Sequence, residues 1–169
     1  MSYVGSYCWR IRQKVGHDLL VVPAVETICE RDGKILMVYH KEFEAWSFPG
    51  GSVEDDGMTW QDGAARELVE ETGITVDPKK LIPFGAASGK DSLIQYKNGD
   101  KVQVFAMAFI AREFINEVDD LDETEIAEKK WFTIDEVEKL DLSPGARWFF
   151  PAYKKYLETG EFQMIGESL

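Results

Sequence analysis

Three carboxylates, Glu67, Glu70 and Glu71, stand within the stretch Arg-Glu-Leu-Val-Glu-Glu-Thr-Gly-Ile at positions 66–74. Apolar Ala64, Ala65, Leu68 and Val69 recur at helical spacing, which predicts a helix over residues 59–72 with Gly73 as its stop signal. At about 3.6 residues per turn, offsets of three and four gather the three carboxylates into an arc of roughly 100°. Glu67 and Glu71 form a like-charge i,i+4 pair, unfavourable by about a few tenths of a kcal/mol. Glu70 and Glu71 also face the negative end of the helix dipole. Arg66 is the only basic residue between Thr59 and Thr72. A solvated acidic face usually interleaves Lys or Arg at i,i+4, and this one does not. The pattern implies a cation in the working protein, and a hard divalent metal suits carboxylate oxygen best.

The rest of the chain narrows the class. Its 169 residues suit one domain with a sizeable core. A net charge of −12 argues against binding to a nucleic-acid backbone, whose affinity rests on clustered Lys and Arg. The same acidity is compatible with a phosphorylated small molecule, because a bound cation reverses the local field. Cys8 and Cys29 form neither a CxxC nor a zinc spacing and are expected as reduced thiols. The N-terminus lacks a signal-peptide layout, and the longest apolar run, residues 104–111, is too short to cross a bilayer. A cytoplasmic protein with no membrane partner is the expectation.

Residues 21–29 are mostly apolar and β-branched, Arg31-Asp32-Gly33-Lys34 reads as a turn, and residues 35–39 follow as a second strand. Residues 44–48 lead into a Pro49-Gly50-Gly51 loop, where two glycines let the backbone approach a ligand closely. Short extended segments are expected at 74–76 and 81–87. Asn98-Gly99 is a hairpin signal between a strand at 93–96 and a long strand at 101–111. An acidic loop at 119–128 precedes a last short strand at 130–132. Thr133 and Glu136 make a capping box for a helix to about Leu140. Ser143-Pro144-Gly145 opens a final helix whose Trp148, Phe149, Ala152, Tyr153 and Tyr156 form a packing stripe. Strands interleaved with widely spaced helices predict an α/β fold with its sheet covered on both faces. Residues 1–20 read as an N-terminal extension packed on a domain of residues 21–169. Its Arg10, Arg12, Lys14 and His17 suit either a capping element or contact with a phosphate or an acidic partner.

The stretch 51–74 resembles the signature of the Nudix hydrolases: Gly, five residues, Glu, seven residues, then Arg-Glu-apolar-any-Glu-Glu-any-Gly-apolar. Arg66, Glu67, Leu68, Glu70, Glu71, Gly73 and Ile74 match its second half, and Gly51 after Phe48-Pro49-Gly50 matches its opening glycine. The resemblance implies an α/β/α sandwich with a mixed β-sheet. It also implies Mg²⁺-dependent hydrolysis, with Mn²⁺ as a substitute, of a nucleoside diphosphate linked to another group. The first half departs from the signature. The loop between Gly51 and Arg66 holds 14 residues (52–65) where the family has 13, and Met58 stands where the family's first glutamate belongs. A thioether neither binds Mg²⁺ as a carboxylate does nor anchors a guanidinium. Glu54, Asp55 and Asp56 are the candidates to reach into that vacancy.

Carried over by position, the Gly51 carbonyl, Glu67, Glu70 and Glu71 would ligate metal, with Glu67 or Glu70 as the base. Arg66, one turn from Glu70, would orient that carboxylate. A further glutamate from a distant loop is expected at Glu125, with Glu123 and Glu128 as rivals. Trp46 and Phe48 are candidates for core packing or for stacking on a nucleobase. His17 and His40 are expected to be structural or exposed. A non-catalytic nucleotide-binding or regulatory module on the same fold is the competing class, supported by Met58. A diphosphate isomerase is disfavoured because neither cysteine lies near the motif. The substrate is expected to be a small nucleoside diphosphate derivative, and a homodimer is left open.

Overall fold

The computed structural model describes residues 4–119 and 123–166. In chain order its elements are α1 (Tyr7–Val15), β1 (Leu20–Arg31), β2 (Lys34–His40), β3 (Ala45–Ser47), β4 (Gly50–Ser52), α2 (Trp60–Thr72) and β5 (Ile74–Thr75). They continue with β6 (Ile82–Ala87), β7 (Leu93–Gln95), β8 (Lys101–Ala111), β9 (Asn116–Glu117), β10 (Ile126–Thr133), α3 (Ile134–Val137), α4 (Pro144–Thr159) and β11 (Gln163–Ile165). The main sheet runs β10-β2-β1-β8-β6-β11, with β3, β4 and β7 on its flanks. It is mixed: β1 lies parallel to β8 over ten residue pairs, from Leu20↔Val102 to Cys29↔Ala111, and antiparallel to β2 and β4.

Successive side chains of a strand face opposite sides, and β1 shows how the two cores arise. Val25 and Cys29 join Leu36, Phe109, Ala64 and Leu68 beneath α2. Val22 and Ile28 point the other way, joining Met37, Phe84, Ala108, Phe149 and Tyr153 beneath α4. The result is the α/β/α sandwich, with a helix on each face of one mixed sheet.

The β1–β2 turn is the tight one that its sequence requests. Asp32 and Gly33 both have positive φ, 51° and 73°, the backbone that a two-residue hairpin matched to sheet twist needs. Helix α2 begins at a capping box between Thr59 and Asp62 and ends at Gly73, which is left-handed at φ 72°. Its C-terminal carbonyls gain a cation from another element, since Lys129 Nζ donates to the Thr72 carbonyl at 2.9 Å.

Several expectations shift. The Pro-Gly-Gly segment is not only a loop: Gly50–Ser52 is strand β4, hydrogen-bonded to β1. Strand β10 starts at Ile126 rather than 130, because it pairs along the whole of β2. It is not the last strand either, since β11 follows α4 and pairs parallel with β6. The helix from Thr133 ends at Val137, and a chain of i→i+3 and i→i+4 bonds carries the turn on to Leu140. Residues 120–122 of the acidic loop lie outside the described residues. Segment 7–20 contains a helix, and its Arg10, Arg12 and His17 are engaged within the chain. Arg12 is buried and donates to the carbonyls of Gly16, Asp18 and Lys101; Arg10 pairs with Asp55 and His17 with Asp100. Among the described residues, no helix is long and apolar enough to cross a membrane. Cys8 and Cys29 are free.

Phe84 anchors the α4 face, with ring centroids 6.1 Å from Phe149, 5.9 Å from Tyr153 and 6.0 Å from Tyr156. Phe84→Ala should destabilise the fold by about 3–5 kcal/mol in urea unfolding. Phe105→Ala, at a position 44% exposed on the same sheet, should cost less than about 1 kcal/mol.

Candidate active site

The carboxylates of α2 are held from two sides. From within the helix, Arg66 reaches Glu70 Oε2 at 2.8 Å through Nη1 and Glu67 Oε1 at 2.6 Å through Nη2. The same Nη2 donates to the Ser52 carbonyl at 2.8 Å, which ties the guanidinium to β4. From the sheet, the Gly50 amide donates to Glu71 Oε2 at 2.9 Å. This packing leaves no room for side chains on the double glycine. A Cβ on Gly50 would sit 2.2 Å from the Val25 carbonyl oxygen, and one on Gly51 would sit 2.5 Å from Glu67 Oε1. The Gly-Gly pair is therefore a clearance requirement that lets strand and helix carboxylates meet.

Removal from water sets the electrostatics. Burial pushes Glu67 up to about 7, with Glu70 and Glu125 adding to the rise and Arg66 opposing it. Glu71 is buried and raised well above the ordinary carboxylate range, by burial first and by the Glu67 charge second; the Gly50 N–H opposes this. Two acids this close in a dry place cannot both ionise cheaply unless positive charge arrives between them. His40 Nδ1 or Nε2 and one oxygen each from Glu71 and Glu125 lie within 4.8 Å of one another. That spacing and donor chemistry fit a divalent ion.

All six residues singled out from the sequence, Gly51, Arg66, Glu67, Glu70, Glu71 and Glu125, line one cavity of about 680 Å³. Of the acidic residues weighed on the 119–128 loop, Glu125 lines this cavity, whereas Glu123 and Glu128 do not. Of the candidates for the vacancy left by Met58, Glu54 enters the cavity and adds to the negative field around Arg66. Glu54 Oε2 also accepts the Tyr7 amide at the start of α1, at 2.7 Å. Asp55 is taken by Arg10, and Asp56 accepts the Met58 amide at 3.1 Å. Arg66 Nε is buried without a partner. Phe48 is core, 1% exposed and 6.5 Å from Phe150. Trp46 lies edge-on to Phe132 and Tyr39, outside the cavity lining.

Two lining residues escape the sequence argument. His40 ends β2, and nothing in its neighbourhood along the chain marks it. Glu26 left a trace, as the one charged residue in the run 21–29, but its place in the cavity follows only from the sheet. Burial pushes its carboxyl up to about 8.

Comparison with known proteins agrees with this geometry. The family model described as the NUDIX domain matches residues 20–153. The chain belongs to the Nudix family. An uncharacterized Nudix hydrolase of Bacillus subtilis (strain 168) is 26% identical over 120 residues, 70% of each chain. The oxidized purine nucleoside triphosphate hydrolase of Mus musculus is 27% identical over 121 residues, again 70% of each. A MutT protein structure from Bacillus halodurans superimposes with a TM-score of 0.63 at 23% identity, covering 87% of this chain and 88% of that one. The chain is thus a Nudix-type hydrolase, and its carboxylate-bearing helix falls inside the matched domain.

Because the Glu67 pKa is raised above its ordinary 4.5, the stability tied to its neutral form is fully present below about pH 4.5 and is lost as pH climbs through about 7. In metal-free buffer, Glu67→Gln should therefore gain on the wild type as pH rises from about 5 to about 8, by on the order of 3 kcal/mol at most. Thermal unfolding in the presence of a chelator reads this directly, and parallel pH curves would contradict it.

Proposed function

We propose that this Nudix protein hydrolyses a phosphoanhydride bond in a nucleoside diphosphate linked to another group, with Mg²⁺ or Mn²⁺ bound at the α2 carboxylates. The observation that carries this reading is the buried, mutually repelling pair Glu67 and Glu71 at the wall of a cavity large enough for a nucleotide. The Gly51 carbonyl, Glu67, Glu70, Glu71 and Glu125 would hold the metal, and His40 stands within reach of the same place. When bound, such a metal offsets phosphate charge and lowers the pKa of a coordinated water. Carboxylate and carbonyl oxygens suit both Mg²⁺ and Mn²⁺.

The protein's own groups do the rest. Arg66 fixes both Glu67 and Glu70 by hydrogen bonds from its two terminal nitrogens. Either of the two can take the proton of the attacking water as it approaches phosphorus in line with the leaving oxygen. Glu70 is the more open to solvent, its side chain 25% exposed against 12% for Glu67. The relative from Mus musculus, named for oxidized purine nucleoside triphosphates, supports a nucleotide as substrate.

A second reading, a nucleotide-binding module without turnover, is favoured by Met58 and by the unpartnered Arg66 Nε. One assay separates the two. A panel of nucleoside diphosphate derivatives, incubated with Mg²⁺ and then Mn²⁺, should release a phosphate-bearing product, and a chelator should abolish that release. Glu70→Gln should lower kcat by about 10²–10⁴-fold. Metal binding without turnover on any member of the panel would establish the module instead.

A further inference from the structure

Glu26 is used by none of the steps above, yet it occupies the floor of the same cavity. It stands in the row of β1 residues that faces α4, between Ala24 and Ile28, where its neighbours in the row build apolar core. The surroundings are cut back to make space for it. Its cross-strand partners are Gly50 on β4 and Ala108 on β8. At the start of α4, Gly145 comes so near that a Cβ there would lie 1.6 Å from Glu26 Oε1. Despite this close fit, Oε2 is buried with no hydrogen-bond partner. A buried carboxyl oxygen left unpaired is costly, and native structures rarely keep one without a purpose.

We propose that Glu26 reads the nucleobase of the substrate, its carboxyl accepting a hydrogen bond from an N–H group on the base edge. The inference rests on the nucleotide hydrolase reading given above. Three observations select a base over the other parts of a nucleotide. A phosphate would be repelled by one more acid beside Glu71, whose pKa Glu26 already helps to raise. A ribose would set its hydroxyls against the apolar wall formed by Val22, Ala24, Val104 and Ala106. A flat base with a polar edge suits that wall, and the Trp148 indole lines the same space. A site that hydrogen-bonds a base edge discriminates strongly against an analogue lacking it, because the protein group is then left unpaired.

The test uses the 169-residue protein and measures kcat and KM on triphosphates of adenosine, deoxyadenosine, guanosine and cytidine, and on purine riboside triphosphate, whose base bears no N–H donor. The wild type should favour at least one of the amino-bearing bases over the unsubstituted purine by about tenfold or more in kcat/KM. Glu26→Leu should collapse that ratio toward one, with most of the change in KM, and Glu26→Gln, which keeps an acceptor of the same shape, should retain part of it. Melting temperatures separate recognition from architecture: Glu26→Leu should melt no lower than the wild type, since it removes an unpaired buried oxygen. A lower melting temperature with an unchanged base preference would overturn the proposal, as would loss of preference for ribose over deoxyribose in place of base preference. If the wild type turns over none of these compounds, the hydrolase reading falls separately. Calorimetric binding of the corresponding nucleoside monophosphates then decides Glu26: base-dependent affinity abolished in Glu26→Leu upholds it, and base-independent affinity refutes it.

Discussion

Crowding of acidic groups at the C-terminal end of α2 is the constraint around which this molecule is organised. Glu71 is buried, Glu67 nearly so, and burial raises the pKa of both, with the Glu67 charge adding to the rise at Glu71. An isolated helix would not choose that arrangement, because like charges one turn apart and beside the negative dipole end are all unfavourable. The fold tolerates it through specific compensation. Arg66 spans Glu67, Glu70 and the Ser52 carbonyl, the Gly50 amide neutralises part of Glu71, and Lys129 covers the terminal carbonyls. These contacts reduce the repulsion and still leave Glu67 and Glu71 raised, the condition expected of a site completed by a cation.

The two glycines that precede α2 serve the same end. Strand β4 is tied to β1 on one edge and pressed against Glu67 and Glu71 on the other, at separations that exclude any Cβ. Sheet, turn and helix therefore locate the carboxylates jointly, and a shift of the Gly50–Gly51 backbone would move the acids with it. The parallel pairing of β1 with β8 carries this frame across the sheet to α4, whose N-terminus closes the far side of the cavity at Gly145. One cavity thus has an acidic wall on the α2 side and an apolar wall that carries Glu26 on the α4 side.

Much of this was legible in the chain because the signals were local. Thr59 and Gly73 bounded α2 to the residue, Asp32-Gly33 fixed the first hairpin, and Ser143-Pro144 placed the start of α4. Gly51, Arg66, Glu67, Glu70 and Glu71 came from a resemblance resting on fixed spacing, Glu125 from the expectation of a glutamate on a distant loop, and these candidates share one cavity. What escaped depends on partners distant in sequence. Strand β11 is three residues with no alternating pattern and exists through its pairing to β6. Strand β10 extends beyond its apolar part because β2 offers it a full-length edge. For Trp46 and Phe48 the sequence favoured core over ligand contact; Phe48 is buried core that also borders the cavity, and Trp46 is half-buried against Phe132. His40 and Glu26 gain their meaning only when β2 and β1 lie side by side above α4, which no window of sequence reports.

The central claim is that the α2 carboxylates and the Gly51 carbonyl form a binding place for a divalent cation. Anomalous scattering from a crystal equilibrated with Mn²⁺ tests it most directly. The account predicts a strong manganese peak within coordination distance of Glu67, Glu71 and the Gly51 carbonyl oxygen, roughly 2.0–2.4 Å for oxygen ligands of such ions. A peak found only on the exposed acidic loop, or none within the cavity at saturating metal, would contradict it.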